Sequence, residues 1–188
     1  KAIGRTLNIV RIGTSGSVQA DIPVDSFVIS EKSIGCDGVL RFYANNESVC
    51  DHPFEEAFIR HCRWTPSAAR PYVVNADPGL ADRLYDEEHT IKGVTLTAVG
   101  FYGPQGRVLR LPLAMPGIND RITAFRYEGY KVTNYEMESA AITGLCNLLG
   151  HRAATICLII ANRINGDASA DYHSYMNKLI RYTLEKLS

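Results

Sequence analysis

Hydrophobic residues are grouped along the chain in short runs that predict the strands of a sheet. Aliphatic and β-branched residues dominate positions 9–12, 26–30 and 94–99, and each run ends at polar residues or glycine. Residues 153–160 are almost wholly apolar, which is typical of a strand buried on both faces of an α/β sheet. Apolar and polar residues alternate over 107–113, which predicts one further strand.

Helical spacing of apolar residues separates these runs. It predicts helices over residues 53–64, 78–85, 119–129, from the end of a short strand near Val132 to Leu149, and from Tyr172 to Leu187. Asp77 is the expected N-cap of the second helix, and Gly150 suits the position after the fourth. Strands that alternate with helices indicate an α/β fold. We therefore expect residues 1–188 to form a single domain, a three-layer α/β/α arrangement with a mixed central sheet.

Composition narrows the class of protein. The chain has 188 residues, a formal net charge of zero and 46% hydrophobic residues, which is ordinary for a globular domain with a real core. A balanced charge argues against a dedicated nucleic-acid or membrane-surface binder. No apolar run is long enough to cross a bilayer.

Cysteine usage indicates a reducing compartment. The five cysteines are odd in number, widely spaced and form no Cys-x-x-Cys pair, so neither a disulfide framework nor a zinc site is expected. Cys146 and Cys157 lie in apolar runs and are interpreted as buried small side chains. The cytoplasm is the location that fits best.

The loop expected after the strand at 94–99 has the chemistry of a binding site. Its sequence at 100–107 is Gly-Phe-Tyr-Gly-Pro-Gln-Gly-Arg, so it carries the aromatic Phe101, the amide Gln105 and the guanidinium Arg107. A flat heterocycle needs such a set, with a ring to stack on and polar groups to fix its edge. The plain alternative is a turn between strands with a solvated arginine.

A second candidate lies near the start of the chain. Arg11 is a charge inside an apolar strand, so it must be paired or serve a ligand. Small residues follow at 13–17, Gly-Thr-Ser-Gly-Ser, and after a strand such residues can form an anion-binding turn. The alternative is a strand end with a tight turn and a salt-bridged arginine.

Two further stretches carry acids and bases at predicted strand ends. Glu136 and Glu138 lie at a strand-to-helix junction, where residues two apart do not share a face. One acid can therefore face a pocket while the other supports the scaffold, although both could also complement the helix dipole. Arg163 follows the buried strand at 153–160, and ligands of open α/β sheets collect at the carboxyl ends of strands. The polar loop at 165–171 is a candidate flap.

Taken together, these stretches resemble the motifs of the uridine phosphorylases, in the nucleoside phosphorylase-I superfamily. They are Arg-Ile-Gly-Thr-Ser-Gly at 11–16, the 100–107 loop, Asn-Tyr-Glu-Met-Glu at 134–138 and Asn-Arg at 162–163. They occur in the expected order along essentially the whole chain. The purine-specific branches have a Ser-Asp pair where this chain has Asn162 and Arg163.

The resemblance implies reversible phosphorolysis of uridine to uracil and ribose 1-phosphate, with no cofactor and no metal, since inorganic phosphate is the co-substrate. It assigns the catalytic residues Arg11, Gln105, Arg107 and Arg163. It assigns the base-binding residues Phe101, Gln105, Arg107, Ile160, Ala161 and Arg163, with Arg163 on the O4 side. It assigns phosphate binding to Arg11 and Thr14, and ribose binding to Thr14, Met137 and Glu138.

The resemblance also implies a portion that this sequence does not contain. Family members have a further βαβ portion before the first motif, with a glycine-rich phosphate loop, so we expect this chain to be a fragment or a partial structure. A homo-oligomer is implied, a hexamer or a dimer, with no nucleic-acid or membrane partner. Neither the preference among uridine, deoxyuridine and thymidine nor a monovalent cation site is decided by these residues.

Two other functions stay open. One is a nucleosidase or a purine phosphorylase of the same superfamily, against which the missing Ser-Asp pair speaks. The other is a non-catalytic nucleoside-binding paralogue, which the absent glycine-rich loop would favour.

Overall fold

The computed structural model describes residues 4–188, which fold into one α/β domain. The described chain has these strands: β1 Asn8–Ser17, β2 Phe27–Gly35, β3 Tyr72–Asn75, β4 Thr90–Thr97, β5 Arg126–Tyr127, β6 Tyr130–Glu136, β7 Arg152–Asn162 and β8 Asp167–Ala168. It has these α-helices: α1 His52–Cys62, α2 Pro78–Leu84, α3 Ile118–Ala124, α4 Ser139–Leu148 and α5 Tyr172–Leu187. The predicted α/β class with a mixed sheet is confirmed.

The sheet has the strand order β3-β2-β4-β6-β1-β7-β8, with β5 paired to β6. Strands β2, β4 and β6 run parallel to one another, β1 runs antiparallel to β6, and β7 runs parallel to β1. Strand β2 also pairs with β7, through residues 27–30, before its second half pairs with β3. The pairing therefore closes into a ring of five strands, β2-β4-β6-β1-β7, within the larger sheet.

Helices cover the sheet from more than one side. Helices α1 and α3 pack on β4 and β6 through a cluster that includes Phe54, Phe58 and Ile122. Helices α2 and α5 pack on β7 through Leu84, Leu179 and their neighbours. Helix α4 places Ala140 against Tyr72 and Val74 of β3 in a smaller cluster. These buried apolar faces provide most of the free energy that holds the layers together.

Local signals predicted several elements correctly. Asp77 caps α2 by accepting a hydrogen bond from the backbone N–H of Leu80 at 2.9 Å. Helix α4 ends before Gly150, which has the left-handed φ of +71° that glycine adopts at little cost. Strand β7 is buried along most of its length, as its continuous apolar run predicted. Cys146 and Cys157 are buried free thiols.

Three predictions were wrong. Residues 13–17 continue β1 instead of forming a turn, because both β6 and β7 pair with this stretch. Residues 107–113 form no strand, since Leu109 and Leu111 are exposed and no neighbouring strand offers them a partner. The helix predicted over 119–129 ends at Ala124, because the chain then turns through β5 into a tight hairpin with β6.

None of the helices within residues 4–188 combines the length and the apolar character needed to cross a membrane.

Candidate functional site

The four sequence motifs meet at the end of the sheet where β4 and β6 finish. Thr97 pairs with Glu136, so the loop after β4 and the start of α4 leave the sheet together. Strand β1 runs antiparallel past this end, with Gly16 opposite Tyr135. The last residues of β7 pair with β1 at the same place, Ala161 opposite Gly16. The topology thus gathers residues that are far apart in the sequence.

Glu136 is the buried anchor of this end. Its Oε1 accepts hydrogen bonds from the hydroxyls of Thr97 and Ser139, at 2.5 and 2.7 Å. Its Oε2 accepts from the backbone N–H groups of Glu138 and Ser139, both at 2.8 Å. A carboxylate at the first turn of a helix is favoured by the helix dipole. Glu136 therefore supports the scaffold, which is one of the two roles that its spacing from Glu138 allowed.

Arg11 lies against two carboxylates and a thiol. Its Nη1 is 3.3 Å from Oε2 of Glu136 and donates to Sγ of Cys157 at 3.2 Å, while its Nη2 forms an ion pair with Glu138. Burial by itself would lower the pKa of Arg11, but Cys157, Glu136 and Glu138 outweigh that effect and raise it. Arg11 is therefore a fixed positive charge, as a phosphate ligand requires.

Two neighbours of Arg11, Gly13 and Cys157, explain how its guanidinium is accommodated inside the fold. A Cβ added to Gly13 would lie 2.6 Å from Nη1 of Arg11, so the guanidinium folds back over a position where only glycine leaves room. Beneath it, burial raises the pKa of the Cys157 thiol to about 12, which keeps that thiol neutral at pH 7. Arg11 is thus held by two carboxylates and by a hydrogen bond to the Cys157 sulfur.

Glu138 faces the open side of the site. Its side chain is 53% exposed and meets Arg11 from the outside, at the residue before α4. Met137 beside it is 39% exposed. Thr14 lies three residues along β1 from Arg11, and within residues 4–188 no side-chain hydrogen bond joins it to Arg11 or to these acids. Arg11 and Glu138 are therefore in contact, whereas Thr14 is placed by its pairing with Leu158 of β7.

A second group contains the residues predicted to bind a base. Arg163 donates a hydrogen bond from Nη2 to the side-chain oxygen of Gln105, which is buried. The guanidinium lies over the ring of Tyr135, with 4.6 Å from its central carbon to the ring centroid. Gly16 makes room for it, since a Cβ there would be 3.0 Å from Nε. The structure thus joins the loop after β4 to the end of β7.

Arg163 has donors that no described group accepts. Its Nε and Nη1 are buried and have no hydrogen-bond partner in the structure. Burial, with a smaller effect from the positive charge of Arg107, lowers the pKa of Arg163 to about 10, so it stays charged at neutral pH. Buried donors without acceptors are costly, and such groups are expected where a ligand supplies the acceptor.

Arg107 contacts Phe101, and neither residue forms a hydrogen bond with the Gln105 side chain within residues 4–188. The Arg107 guanidinium carbon is 3.8 Å from the centroid of the Phe101 ring, and Nη1 donates to the Phe101 carbonyl at 3.3 Å. Phe101 is 50% exposed. Ile160 and Ala161 are partly buried at the end of β7, next to Arg163. Within residues 4–188, hydrogen bonds and ring contacts among the predicted base residues join Gln105 to Arg163 and Phe101 to Arg107.

An apolar cavity of about 1020 Å³ lies on the other side of the Gln105 loop. Its walls come mainly from residues 99–118 and from the segment around Trp64. It shares Arg107 and Tyr135 with the base group, whereas Gln105, Arg163, Arg11 and Glu138 do not line it. The polar residues of the candidate site therefore lie outside this cavity, and they range from the buried Gln105 to the half-exposed Glu138. No cluster of His, Cys, Asp or Glu side chains suited to a metal ion occurs in the described part of the chain.

Some residues of the site were not singled out from the sequence. Tyr135 lies inside the 134–138 motif, but nothing in the pattern marked it as the support of Arg163. Asn134 in the same motif is buried, and its amide links Ser15 of β1 to Thr95 of β4. Asn119, on α3, contacts the Gln105 loop although it is 14 residues away in sequence and belongs to no motif.

Comparison with known proteins identifies the family. Residues 4–183 match the family model described as the Phosphorylase superfamily, and the chain therefore belongs to that superfamily. Uridine phosphorylase A of Schistosoma mansoni is 36% identical over 160 residues, which are 84% of this chain and 49% of the relative. Uridine phosphorylase of Thermococcus kodakarensis is 26% identical over 164 residues, 84% of this chain and 50% of the relative. The predicted relationship to this superfamily is confirmed.

Two further matches bear on whether the activity of these relatives can be transferred to this chain. Inactive uridine phosphorylase B of Schistosoma mansoni is 34% identical over 105 residues, 50% of this chain and 32% of that protein. A crystal structure of a Trypanosoma brucei nucleoside phosphorylase, which shows uridine phosphorylase activity, has the same fold. Its TM-score is 0.82 at 24% identity, over 96% of this chain and 63% of that one. The chain spans about half the length of the Schistosoma mansoni and Thermococcus kodakarensis uridine phosphorylases.

Proposed function

We propose that this protein catalyses the reversible phosphorolysis of uridine to uracil and ribose 1-phosphate. The observation that carries the proposal is the pair of unpartnered donors on Arg163 beside the amide of Gln105. A uracil edge offers what these groups lack, because O4 accepts hydrogen bonds and the neighbouring N3–H donates one. The uridine phosphorylases among the relatives support this choice of substrate.

The reaction places charge where the site has groups to receive it. A phosphate oxygen attacks C1′ of the ribose as the C1′–N1 bond breaks, and the bonding pair leaves with the base as a uracil anion. That anion takes a proton from water. Donors from Arg163 and Gln105 stabilise the negative charge that develops on the base, which lowers the barrier. Arg107 reinforces this field with a second positive charge.

Arg11 and Glu138 bind the phosphate and the ribose, respectively. Arg11 holds the phosphate against C1′, and Glu138 accepts hydrogen bonds from the ribose hydroxyls. Without ligands the two side chains form an ion pair. Phosphate replaces Glu138 as the anion beside Arg11, and the ribose hydroxyls donate hydrogen bonds to the Glu138 carboxylate in place of Arg11. Holding both reactants in this way supplies much of the rate enhancement. Thr14 and Met137 complete the sugar and phosphate contacts, while Phe101, Ile160 and Ala161 enclose the base.

The same proposal covers the biological setting. We place the protein in pyrimidine nucleoside salvage in the cytoplasm, as a homo-oligomer that acts on nucleoside and phosphate without a cofactor. The family match supports nucleoside and phosphate as the substrates.

The test is uracil release from uridine, with and without inorganic phosphate, by protein made from the complete gene. Release that depends on phosphate is the expected result. Release without phosphate would identify a nucleosidase and remove the phosphate role from Arg11. Binding of uridine without release of uracil would favour the non-catalytic paralogue. One relative, of Schistosoma mansoni, is named an inactive uridine phosphorylase.

A further inference from the structure

A closed circuit of contacts links four residues, two of which are the predicted base-recognition pair Gln105 and Arg163. Asn119 contacts the loop of Gln105, Tyr135 contacts Asn119, Arg163 lies on Tyr135, and Arg163 returns to Gln105. The four residues come from the loop after β4, from α3, from β6 and from the segment after β7. Asn119 therefore contacts the Gln105 loop directly, and it is linked to Arg163 through Tyr135.

Asn119 uses both ends of its amide. Its Nδ2 donates to the backbone carbonyls of Gln105 at 3.1 Å and of Gly106 at 3.3 Å. Its Oδ1 accepts a hydrogen bond from the Tyr135 hydroxyl at 3.2 Å. An amide is suited to this position because it offers a donor and an acceptor on one rigid plane.

The fit between the loop and Asn119 leaves little free space. Gly106 has a φ of +70°, and a Cβ on it would lie 2.5 Å from Nδ2 of Asn119. The backbone of the loop therefore rests directly on the asparagine. Elsewhere the same loop has few anchors, since Phe101, Tyr102 and Val108 are all exposed. The position of Gln105 consequently depends on this contact.

We propose that Asn119 is the positioning residue for base recognition. It does not touch the substrate. It holds the backbone of Gln105 directly, and it fixes the position of the Arg163 guanidinium through the ring of Tyr135. Both groups can then hydrogen-bond the same edge of the pyrimidine. This inference rests on the proposed function, and it identifies the base edge as the part of the substrate that Asn119 controls.

The experiment compares Asn119→Ala with Asn147→Ala as a matched control. Asn147 also lies on a helix, and its Nδ2 donates to a backbone carbonyl, that of Asn75, at 3.0 Å, away from the site. For Asn119→Ala we expect the KM for uridine to rise about 10-fold, because two loop hydrogen bonds are lost. The KM for phosphate should change less than about 2-fold, since Arg11 and Glu138 are not in the circuit. The control should change neither.

A double-mutant cycle separates positioning from general destabilisation. If Asn119 acts through Gln105, then Asn119→Ala should cost about 10-fold in the wild-type background and less than about 2-fold in Gln105→Ala. Tyr135→Phe keeps the ring under Arg163 and removes only the hydroxyl, so it should give a smaller rise in the same parameter. An equal cost in both backgrounds, or equal changes in the KM values for uridine and phosphate, would overturn the proposal.

Calorimetric binding of uracil to the same variants distinguishes this inference from the proposed function. If wild-type protein binds uracil without catalysing phosphorolysis, the proposed function fails, while the loss of uracil affinity in Asn119→Ala still tests the circuit. If phosphorolysis is found and Asn119→Ala leaves uracil affinity intact, the proposed function stands and the positioning role is refuted. Absence of uracil binding by the wild type would refute both.

Discussion

Arg163 donates to the side-chain oxygen of Gln105, and this contact fixes which way the Gln105 amide points. With its oxygen turned towards Arg163, the amide NH₂ of Gln105 is free to donate to a ligand, and the second lone pair of the oxygen remains available. Gln105 therefore presents a donor and an acceptor side by side, next to the two unpartnered donors of Arg163. That pattern matches the keto form of a pyrimidine edge and opposes an amino group.

The first prediction is discrimination against cytidine. The 4-amino group of cytosine would place N–H donors against the donors of Arg163, so kcat/KM for cytidine should be at least about 100-fold below that for uridine. Parallel phosphorolysis assays with the two nucleosides measure this ratio. In Arg163→Ala the uridine value should fall about 100-fold and most of the discrimination should disappear. Arg126→Ala, which removes a surface arginine bonded to Thr123 and Phe125, should match the wild type.

The second prediction concerns the charge of Arg163. Its folded-state pKa of about 10 lies below its ordinary value of 12.5, so the fold carries the cost of the buried charge at every pH below about 10, and that cost fades as the pH rises from 10 towards 12.5. Removing a neighbouring positive charge should raise the pKa. We therefore expect the Arg163 titration, followed by ¹⁵N NMR of its Nε, to move to higher pH in Arg107→Met. An unchanged or lower titration point would contradict the assigned effect of Arg107.

The third prediction separates the two acids at the junction of β6 and α4. Glu136→Gln places an amide among several donors that Glu136 accepts, so it should lower the free energy of unfolding by about 2 kcal/mol. Glu138→Gln removes an exposed charge and should cost less than about 1 kcal/mol. Phosphorolysis should fall because one of the two carboxylate oxygens that accept from the ribose hydroxyls becomes an NH₂ donor. Urea denaturation and steady-state kinetics of both variants give the comparison. Similar stability losses in the two would mean that Glu138 is also structural.

The fourth prediction tests the space beside Arg11. In Gly13→Ala the new methyl group occupies the place of the guanidinium, so Arg11 must move away from Glu138. We expect the KM for phosphate to rise about 10-fold, because a displaced charge no longer meets the anion in its required position. The KM for uridine and the melting temperature serve as internal controls and should change little, since the displaced atoms are the end of a flexible side chain. A phosphate KM equal to that of the wild type would show that Arg11 does not hold phosphate.

Elements with strong local signals were predictable from the sequence. The cap residue Asp77 and the continuous apolar run of β7 are each set by neighbours in the chain, so short patterns were enough to predict α2 and β7. The spacing of Glu136 and Glu138 at a strand-to-helix junction allowed one buried and one outward-facing acid, and the structure has Glu136 buried and Glu138 half-exposed. The site residues Arg11, Gln105 and Arg163 were named from their motifs, and their assigned roles stay predictions.

Features that depend on distant partners were not predictable. Residues 107–113 alternate as a strand does, but a strand needs a neighbour, and none borders this segment. Gly13 and Gly16 suggested a turn, whereas they provide room for Arg11 and Arg163 within a paired strand. Asn119 belongs to no motif, and its contact with the Gln105 loop exists only once α3 has packed on β6.

The pairing of β1 with β7 has a consequence for how the protein is made. Arg11 and Cys157 touch although 146 residues separate them in sequence, and Arg163 lies later still. A ribosome must synthesise the chain through β7 before Arg11 can meet Cys157 or Arg163 can meet Gln105. Closing so large a loop is slow, and strands that wait for distant partners expose their edges meanwhile. We expect refolding to be limited by the arrival of β7, with Arg11 among the last residues to reach its final environment.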